Sequence, residues 1–256
     1  MARTTTRLAR ENHGLVVVVP AFNEEATLGQ TLQRIRRCAL PGEVVVVDDG
    51  SSDRTSDVAA SAGVRVLRHP FNLGYGAALQ TGYKVALEAR ACAIVQIDAD
   101  GQHDPRDIGR LVAGILDQSA DIVIGSRFLK GHGYQMNRVH RLARRLFCAV
   151  ARWNGLHLTD PTSGFQALSP GVARSFCSDF PTDYPDLDVL LAAHRRGFRI
   201  QEVAVQMAAS PRPSTLHGGF SSLYYMLRTL LSLGTLPGRR RTTTPPVAST
   251  EEEPEP

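Results

Sequence analysis

Five short strand-like runs, wholly apolar but for Arg65 and Gln96 and separated by helix-forming stretches, restrict more than anything else what this chain can fold into. They are Leu15–Val19, closed by Pro20, then Val44–Val47, Val64–Leu67, Ala93–Ile97 and Ile122–Ile124. An uninterrupted apolar strand, unlike an alternating one, suits burial on both faces, as in a parallel sheet between two helical layers. The intervals carry helix signals. Asn23 is placed to cap a helix, with Glu24 and Glu25 at its positive end and Leu28, Leu32 and Ile35 as its inward stripe. Ala77–Ala89 repeats small and apolar residues at helical spacing, and Asp104–Pro105 sets a cap and a first-turn proline ahead of a helix to about Gln118. The predicted class is therefore α/β, a Rossmann-like doubly wound, mostly parallel sheet that binds ligands at the carboxyl edge of its strands.

The fourth run ends at such an edge in Asp98-Ala99-Asp100-Gly101-Gln102-His103. Side chains two apart on a strand share a face, so Asp98 and Asp100 are expected to converge where the strand leaves the core. Two hard oxygen ligands suit Mg²⁺ or Mn²⁺, which completes its shell with water and substrate phosphate. A metal-held diphosphate is the chemistry implied. An isolated D-x-D is more often a polar turn before a helix cap, so the surrounding sequence has to decide. Asp48-Asp49-Gly50-Ser51-Ser52-Asp53 closes the second run with residues that favour tight turns. Gly74 and Gly76 read as permissive backbone, because no P-loop lysine pattern accompanies them.

Past Arg127 the pattern changes. Arg138–Trp153 is strongly amphipathic, with Val139, Leu142, Leu146 and Val150 on one side and Arg141, Arg144, Arg145 and Arg152 largely elsewhere. It reads either as a core-packing helix with a solvated basic face or as an interfacial helix near anionic lipid. Asp160–Phe165 turns into a short strand ending at Leu168; Pro185–Arg196 is a predicted helix with Asp186 and Asp188 in its first turn, and Phe198–Met207 a strand. Ser210–Gly219 has the composition of a loop over the site, and Phe220–Leu233 that of a second amphipathic helix. The expected organisation is a flexible segment 1–13, one domain over 14–236 divided into halves 14–130 and 131–236, and a disordered tail over 237–256.

Composition narrows the functional classes. At 43% hydrophobic and 21% charged residues the chain is an ordinary globular protein. A net charge of +4 fits anionic small molecules or a lipid surface. With no helix-turn-helix, zinc-finger or aromatic stacking motif, no nucleic-acid partner is expected. The four cysteines are scattered with no C-x-x-C pair, which argues against a zinc knuckle or a disulfide framework and for a reducing cytoplasm. No secretion signal is read before Val16–Val19, and no run approaches the roughly 20 apolar residues needed to span a bilayer.

Six motifs occur in order: Val-Val-Pro-Ala-Phe-Asn-Glu-Glu at 18–25, Val-Asp-Asp-Gly-Ser-Ser-Asp at 47–53, Asn-Leu-Gly-Tyr-Gly-Ala-Ala at 72–78, Asp-Ala-Asp-Gly-Gln-His at 98–103, Gly-Ser-Arg-Phe at 125–128 and Thr-Ser-Gly-Phe at 162–165. Together they resemble glycosyltransferase family 2, and within it the polyprenyl-phosphate (dolichyl-phosphate) mannosyltransferase-like branch, over about residues 14 to 235. The resemblance implies a glycosyltransferase-A fold with C-terminal amphipathic helices. It also implies a metal-dependent, inverting hexosyltransferase that moves sugar from a GDP- or UDP-linked donor to polyprenyl phosphate in cell-envelope glycan synthesis, in the cytoplasm or peripherally on the inner face of the membrane. By the same resemblance Pro20, Ala21, Phe22, Glu24 and Asp48 hold the nucleoside, and Asp98, Ala99 and Asp100 border ribose and diphosphate. Asp98, Asp100 and Gln102 take the metal, Arg127 meets the phosphates, and Arg212 and His217 are the acceptor-side candidates.

Three other readings use the same residues. In the first the acceptor is instead a hydroxyl on a glycan, glycolipid or small molecule, which needs a base where an anionic lipid phosphate does not; Asp186 is then the candidate, with helix capping its other reading. A sugar-phosphate nucleotidyltransferase would open with a Gly-rich basic loop after the first strand, where this chain has Pro20-Ala21-Phe22-Asn23-Glu24. A non-catalytic nucleotide-sugar binder is the third. Lipid-phosphate transferases of this branch usually carry an R-x-x-G-x-S-K type of loop before the last helix, against which 210–218 offers Arg212 and His217 alone.

Overall fold

The computed structural model describes residues 14–129, 138–178 and 187–208, with backbone only at 138–140. The strands are β1 (Leu15–Ala21), β2 (Gly42–Asp48), β3 (Arg65–Arg68), β4 (Ala93–Gln96), β5 (Ile122–Ser126), β6 (Gln166–Leu168) and β7 (Ile200–Ala204). The helices are α1 (Leu28–Arg37), α2 (Thr55–Ser61), α3 (Tyr75–Glu88), α4 (Ile108–Leu116), α5 (Arg138–Trp153), α6 (Pro170–Ser178) and α7 (Leu187–Arg195), with a 3₁₀ turn over Pro105–Asp107. The seven strands form one sheet in the order β3-β2-β1-β4-β6-β5-β7, parallel except for β6, which runs antiparallel to both β4 and β5.

Alternation along each strand divides the core in two. Val16, Val18, Val45, Val47 and Ile94 face the layer of α3, α5, α6 and α7, whereas Val17, Val19, Val46 and Val95 face α1, α2 and α4. Both faces are covered, which is why the β-branched runs are uninterrupted. Pro20 sits inside β1 rather than ending it, opposite Val47. Its missing N–H is tolerated because pairing with β4 stops at Val18 and Gln96.

Two local expectations need correcting. Asn23 does not cap a helix. It adopts φ +56°, its amide donates to Ser51 Oγ at 2.9 Å, and its Oδ1 accepts from the Ser52 amide at 2.9 Å. These bonds to the neighbouring loop replace the capping bond, and the helix begins later, at Leu28, with no acidic residue in its first turn. Glu24 and Glu25 therefore precede the helix instead of occupying its positive end. Asp104 does cap as expected, accepting from the Arg106 amide at 3.0 Å. Of the predicted helix over 185–196, Leu187–Arg195 is described.

Candidate active site

The sheet reverses its strand order between β1 and β4, and the carboxyl edge at such a reversal is where α/β sheets bind ligands. Asp98 and Asp100 lie there, but they are not carried by the pleat of a strand. β4 ends at Gln96, and the two acids belong to the turn that follows, which Gly101 closes at φ +76°. The turn is pinned from below by Thr31, whose hydroxyl donates to the Ala99 carbonyl at 3.1 Å, and by Arg34, which donates to the Gly101 carbonyl at 2.7 Å.

The environments of the two carboxyls push them apart. For Asp98, burial works to raise the pKa, but hydrogen bonds from His103 Nε2 (3.1 Å) and the Tyr75 hydroxyl (2.9 Å), with the nearby charge of Arg127, outweigh it and hold the carboxyl below its ordinary value. For Asp100, burial and then the negative charge of Asp98 raise the pKa, against one hydrogen bond from the Gln102 amide at 2.9 Å. Glu24 adds further negative potential. Two crowded carboxylates with a third close by form a site that a divalent cation relieves. Among the described residues no three His, Cys, Asp or Glu side chains are grouped to hold a metal by themselves.

Arg127 leaves β5 and turns back into the sheet edge. Its Nε and Nη2 form a bidentate pair with Asp160 at 2.6 Å each, Nη2 also reaches Thr162 Oγ1 at 3.3 Å, and Nη1 points to Met207 Sδ at 3.8 Å. The Asp160 side chain is fully buried. Glu202 fixes it from behind by accepting the amides of Thr159 and Asp160 at 2.8 and 2.7 Å.

The remaining predicted residues fall into place unevenly. Pro20 and Ala21 end β1 buried, Phe22 is exposed beside them, and Glu24 accepts the Thr27 hydroxyl at 2.6 Å. Asp48, expected at the nucleoside, is wholly buried: it accepts from the Ser51 amide at 2.9 Å and from the Ser56 hydroxyl, and Arg68 Nε lies 3.6 Å from it. Asp49 does similar work, accepting the amides of Leu73 and Gly74 at 2.9 Å and pairing with His69 Nδ1 at 2.7 Å. Gly74, at φ +100°, is the permissive backbone position expected. Gln102 flanks Asp100, and its carbonyl accepts the Ala208 amide at 2.8 Å. Asp186, Arg212 and His217 lie outside the described residues, as do Ser210–Gly219 and Phe220–Leu233.

Residues 16–175 match the family described as Glycosyl transferase family 2. The chain belongs to this family. Among curated family relatives, the undecaprenyl-phosphate mannosyltransferase of Micrococcus luteus is 32% identical over 204 residues, 75% of this chain and 82% of that protein. The polyprenol monophosphomannose synthase of Mycolicibacterium smegmatis is 32% identical over 214 residues, 77% of this chain and 78% of that one. Among solved structures, glucosyl-3-phosphoglycerate synthase from Mycobacterium tuberculosis, crystallised with Mn²⁺, UDP and phosphoglyceric acid, superposes with a TM-score of 0.71 at 27% identity, covering 92% of this chain and 83% of its own. The protein is a glycosyltransferase with the glycosyltransferase-A fold.

Several residues that shape this glycosyltransferase site carry no role that sequence alone assigns: Tyr75 and His103 on Asp98, Asp160 and Glu202 behind Arg127, and Gly164. Four of them stand in or beside the quoted motifs, so position in the motif was the available signal; Glu202 had none. Gly164 is decided by space. A Cβ there would lie 2.8 Å from Asp98 Oδ2 and 3.1 Å from the Tyr75 hydroxyl. Gly164→Ala is expected to displace the Asp98 carboxylate and lower kcat/KM by about a hundredfold, the order of loss that a misplacement near 1 Å produces. Steady-state kinetics beside a thermal melt would check this, and an unaffected kcat/KM would show that Asp98 has room to move.

Proposed function

We propose that this glycosyltransferase moves a hexose from a GDP- or UDP-linked donor to a polyprenyl phosphate, with inversion at the anomeric carbon and with bound Mg²⁺ or Mn²⁺. The observation that carries the reading is the Asp98–Asp100 pair at the β1/β4 reversal, one carboxyl held ionised by His103 and Tyr75 and the other crowded by it. Asp98, Asp100 and Gln102 would hold the ion, whose contribution when bound is to offset charge developing on the departing nucleoside diphosphate. Phe22 and Glu24 border the nucleoside, on a loop stitched to Ser51–Thr55 by the Asn23 and Glu24 amides. Arg127 adds positive charge at the phosphates, oriented by Asp160 from the opposite edge of its guanidinium. An anionic phosphate acceptor attacks without a base.

The names of the two mannosyltransferase relatives support a lipid-phosphate acceptor. The neighbour bound to phosphoglyceric acid favours a second reading, in which a hydroxyl of a small acid accepts the sugar and Asp186 acts as base. The deciding experiment incubates the protein and Mn²⁺ with GDP- and UDP-sugars and follows nucleoside diphosphate release with polyprenyl phosphate, phosphoglyceric acid or no acceptor. Release stimulated at least tenfold by polyprenyl phosphate, and unchanged in Asp186→Asn, is the expected result. Stimulation by phosphoglyceric acid alone, lost in Asp186→Asn, would replace the lipid reading with the second one.

A further inference from the structure

Two buried glutamines have no part in the site as described so far. Gln96 ends β4 at 4% exposure and Gln166 opens β6 at 7%, and each is the only polar residue of its short strand. They stand directly opposite each other in the antiparallel β4–β6 register, so both side chains leave the same face of the sheet. Ile94 and Leu168, two residues away on each strand, mark that face as the one covered by α3. All of this lies outside the six motifs quoted above.

An amide buried in an apolar layer costs stability unless it finds hydrogen-bond partners. Both glutamines find theirs on one short piece of chain. Gln96 Nε2 donates to the Gly164 carbonyl at 3.0 Å, and Gln166 Nε2 donates to the Ser163 carbonyl at 2.8 Å. The hydroxyl of Tyr83, a buried residue of α3, donates to Gln96 Oε1 and so fixes which end of that amide faces Gly164. Fastening the loop would not require so much, because the Ser163 hydroxyl already donates to the Gly125 carbonyl at 2.7 Å. Holding two consecutive carbonyls does more than fasten: it sets the tilt and height of the backbone between them.

That backbone abuts Asp98, since a Cβ on Gly164 would stand 2.8 Å from Asp98 Oδ2. The same loop carries Asp160 and Thr162, both bonded to Arg127 Nη2. Its position therefore sets the Asp98 carboxylate and the Arg127 guanidinium relative to each other. We infer that Gln96 and Gln166 are positioning residues for sugar transfer, with Tyr83 orienting the first of them. They act through the backbone at 163–164, which their amides hold against Asp98. The inference rests on the transfer chemistry proposed above, in which Asp98 and Arg127 serve the donor diphosphate.

The test uses two variants of the full chain. Gln96→Met conserves volume, and combining it with Tyr83→Phe removes the hydroxyl that would otherwise be stranded, so this double variant should fold. Gln166→Met is the second. In metal-free, donor-free protein, hydrogen exchange at the Ser163 and Phe165 amides should quicken about tenfold or more, while the amides of β1 and β2 keep their wild-type rates. In the transfer assay kcat should fall about tenfold with the donor KM within about twofold, because the nucleoside is bordered by the separate loop at Phe22 and Glu24. Wild-type exchange at 163 and 165 in both variants overturns the inference. So does quickened exchange with kcat unchanged, which would make the glutamines fasteners only. Exchange quickened throughout β1 and β2 together with lost activity also overturns it, by assigning them to general stability. Wild-type protein that transfers sugar from no donor counts instead against the reading above, and the ligand-free exchange rates then decide whether the glutamines hold the loop.

Discussion

Replacing Asp100 with asparagine is expected to lower kcat/KM for sugar transfer by about a thousandfold, roughly 4 kcal/mol of transition-state stabilisation. The substitution is nearly isosteric, and the new amide side chain keeps an oxygen for the Gln102 amide that Asp100 accepts at 2.9 Å. The turn should therefore survive. What disappears is one of two negative charges, and the metal-free protein should feel its loss as a relief, because burial, Asp98 and Glu24 all raise the Asp100 pKa in the folded state. The melting temperature without metal should then be unchanged or higher in the variant. Wild-type protein should gain thermal stability on addition of Mn²⁺, and Asp100→Asn should gain markedly less, since only ions bound to the native state stabilise it. A variant that keeps transfer within threefold of wild type and still responds to Mn²⁺ would remove the carboxylate pair from the metal.

The second large effect concerns Asp160→Asn. Asp160 is fully buried and holds an Arg127 guanidinium that is 12% exposed. Removing one partner of a buried ion pair leaves the other charge uncompensated, a loss of about 3 to 5 kcal/mol of folding stability. Chemical denaturation measures it directly. Replacing both residues, Arg127→Met with Asp160→Leu, should recover much of that stability, because no buried charge is then stranded. Comparing the two variants separates structure from chemistry. If Arg127 serves the donor phosphates, the double variant is stable but inactive. A stable double variant with ordinary activity would confine Arg127 to holding the loop at 159–162.

Much of the sheet was legible because its strands lie between two helical layers, and burial on both faces leaves an uninterrupted apolar run as its trace. Where local signals competed with contacts distant in sequence, the reading failed. Asn23 has the composition of a cap, but its side chain and amide are engaged by Ser51 and Ser52, 28 and 29 residues away. Of the two readings of α5, the core-packing one puts Leu142 and Leu146 inward, yet Leu142 is exposed and Leu146 half-buried because Arg144 belongs to the interior through Phe128 and Thr159, neither of which its own periodicity reveals. In the site, Asp98, Asp100 and Gln102 were legible from motif spacing, and the turn places them together. Their supports were less so. Asp160 looked like an ordinary turn residue, and only the fold shows Arg127 bonded to it.

The placement of β6 has a bearing on how the molecule is made. The strands β4 and β5 do not pair with each other; Gln166, Ala167 and Leu168 bond to both, and Gly164, just ahead of them, closes against Asp98. A ribosome that has released β1 through β5 has therefore supplied one four-stranded ribbon and a β5 strand without its sheet partners, and the gap between them stays open until the chain from Arg127 to Leu168 has emerged. Only then can the Asp98–Asp100 turn acquire the wall that Gly164 makes against it, so the candidate site cannot close while the later part of the chain is still unsynthesised.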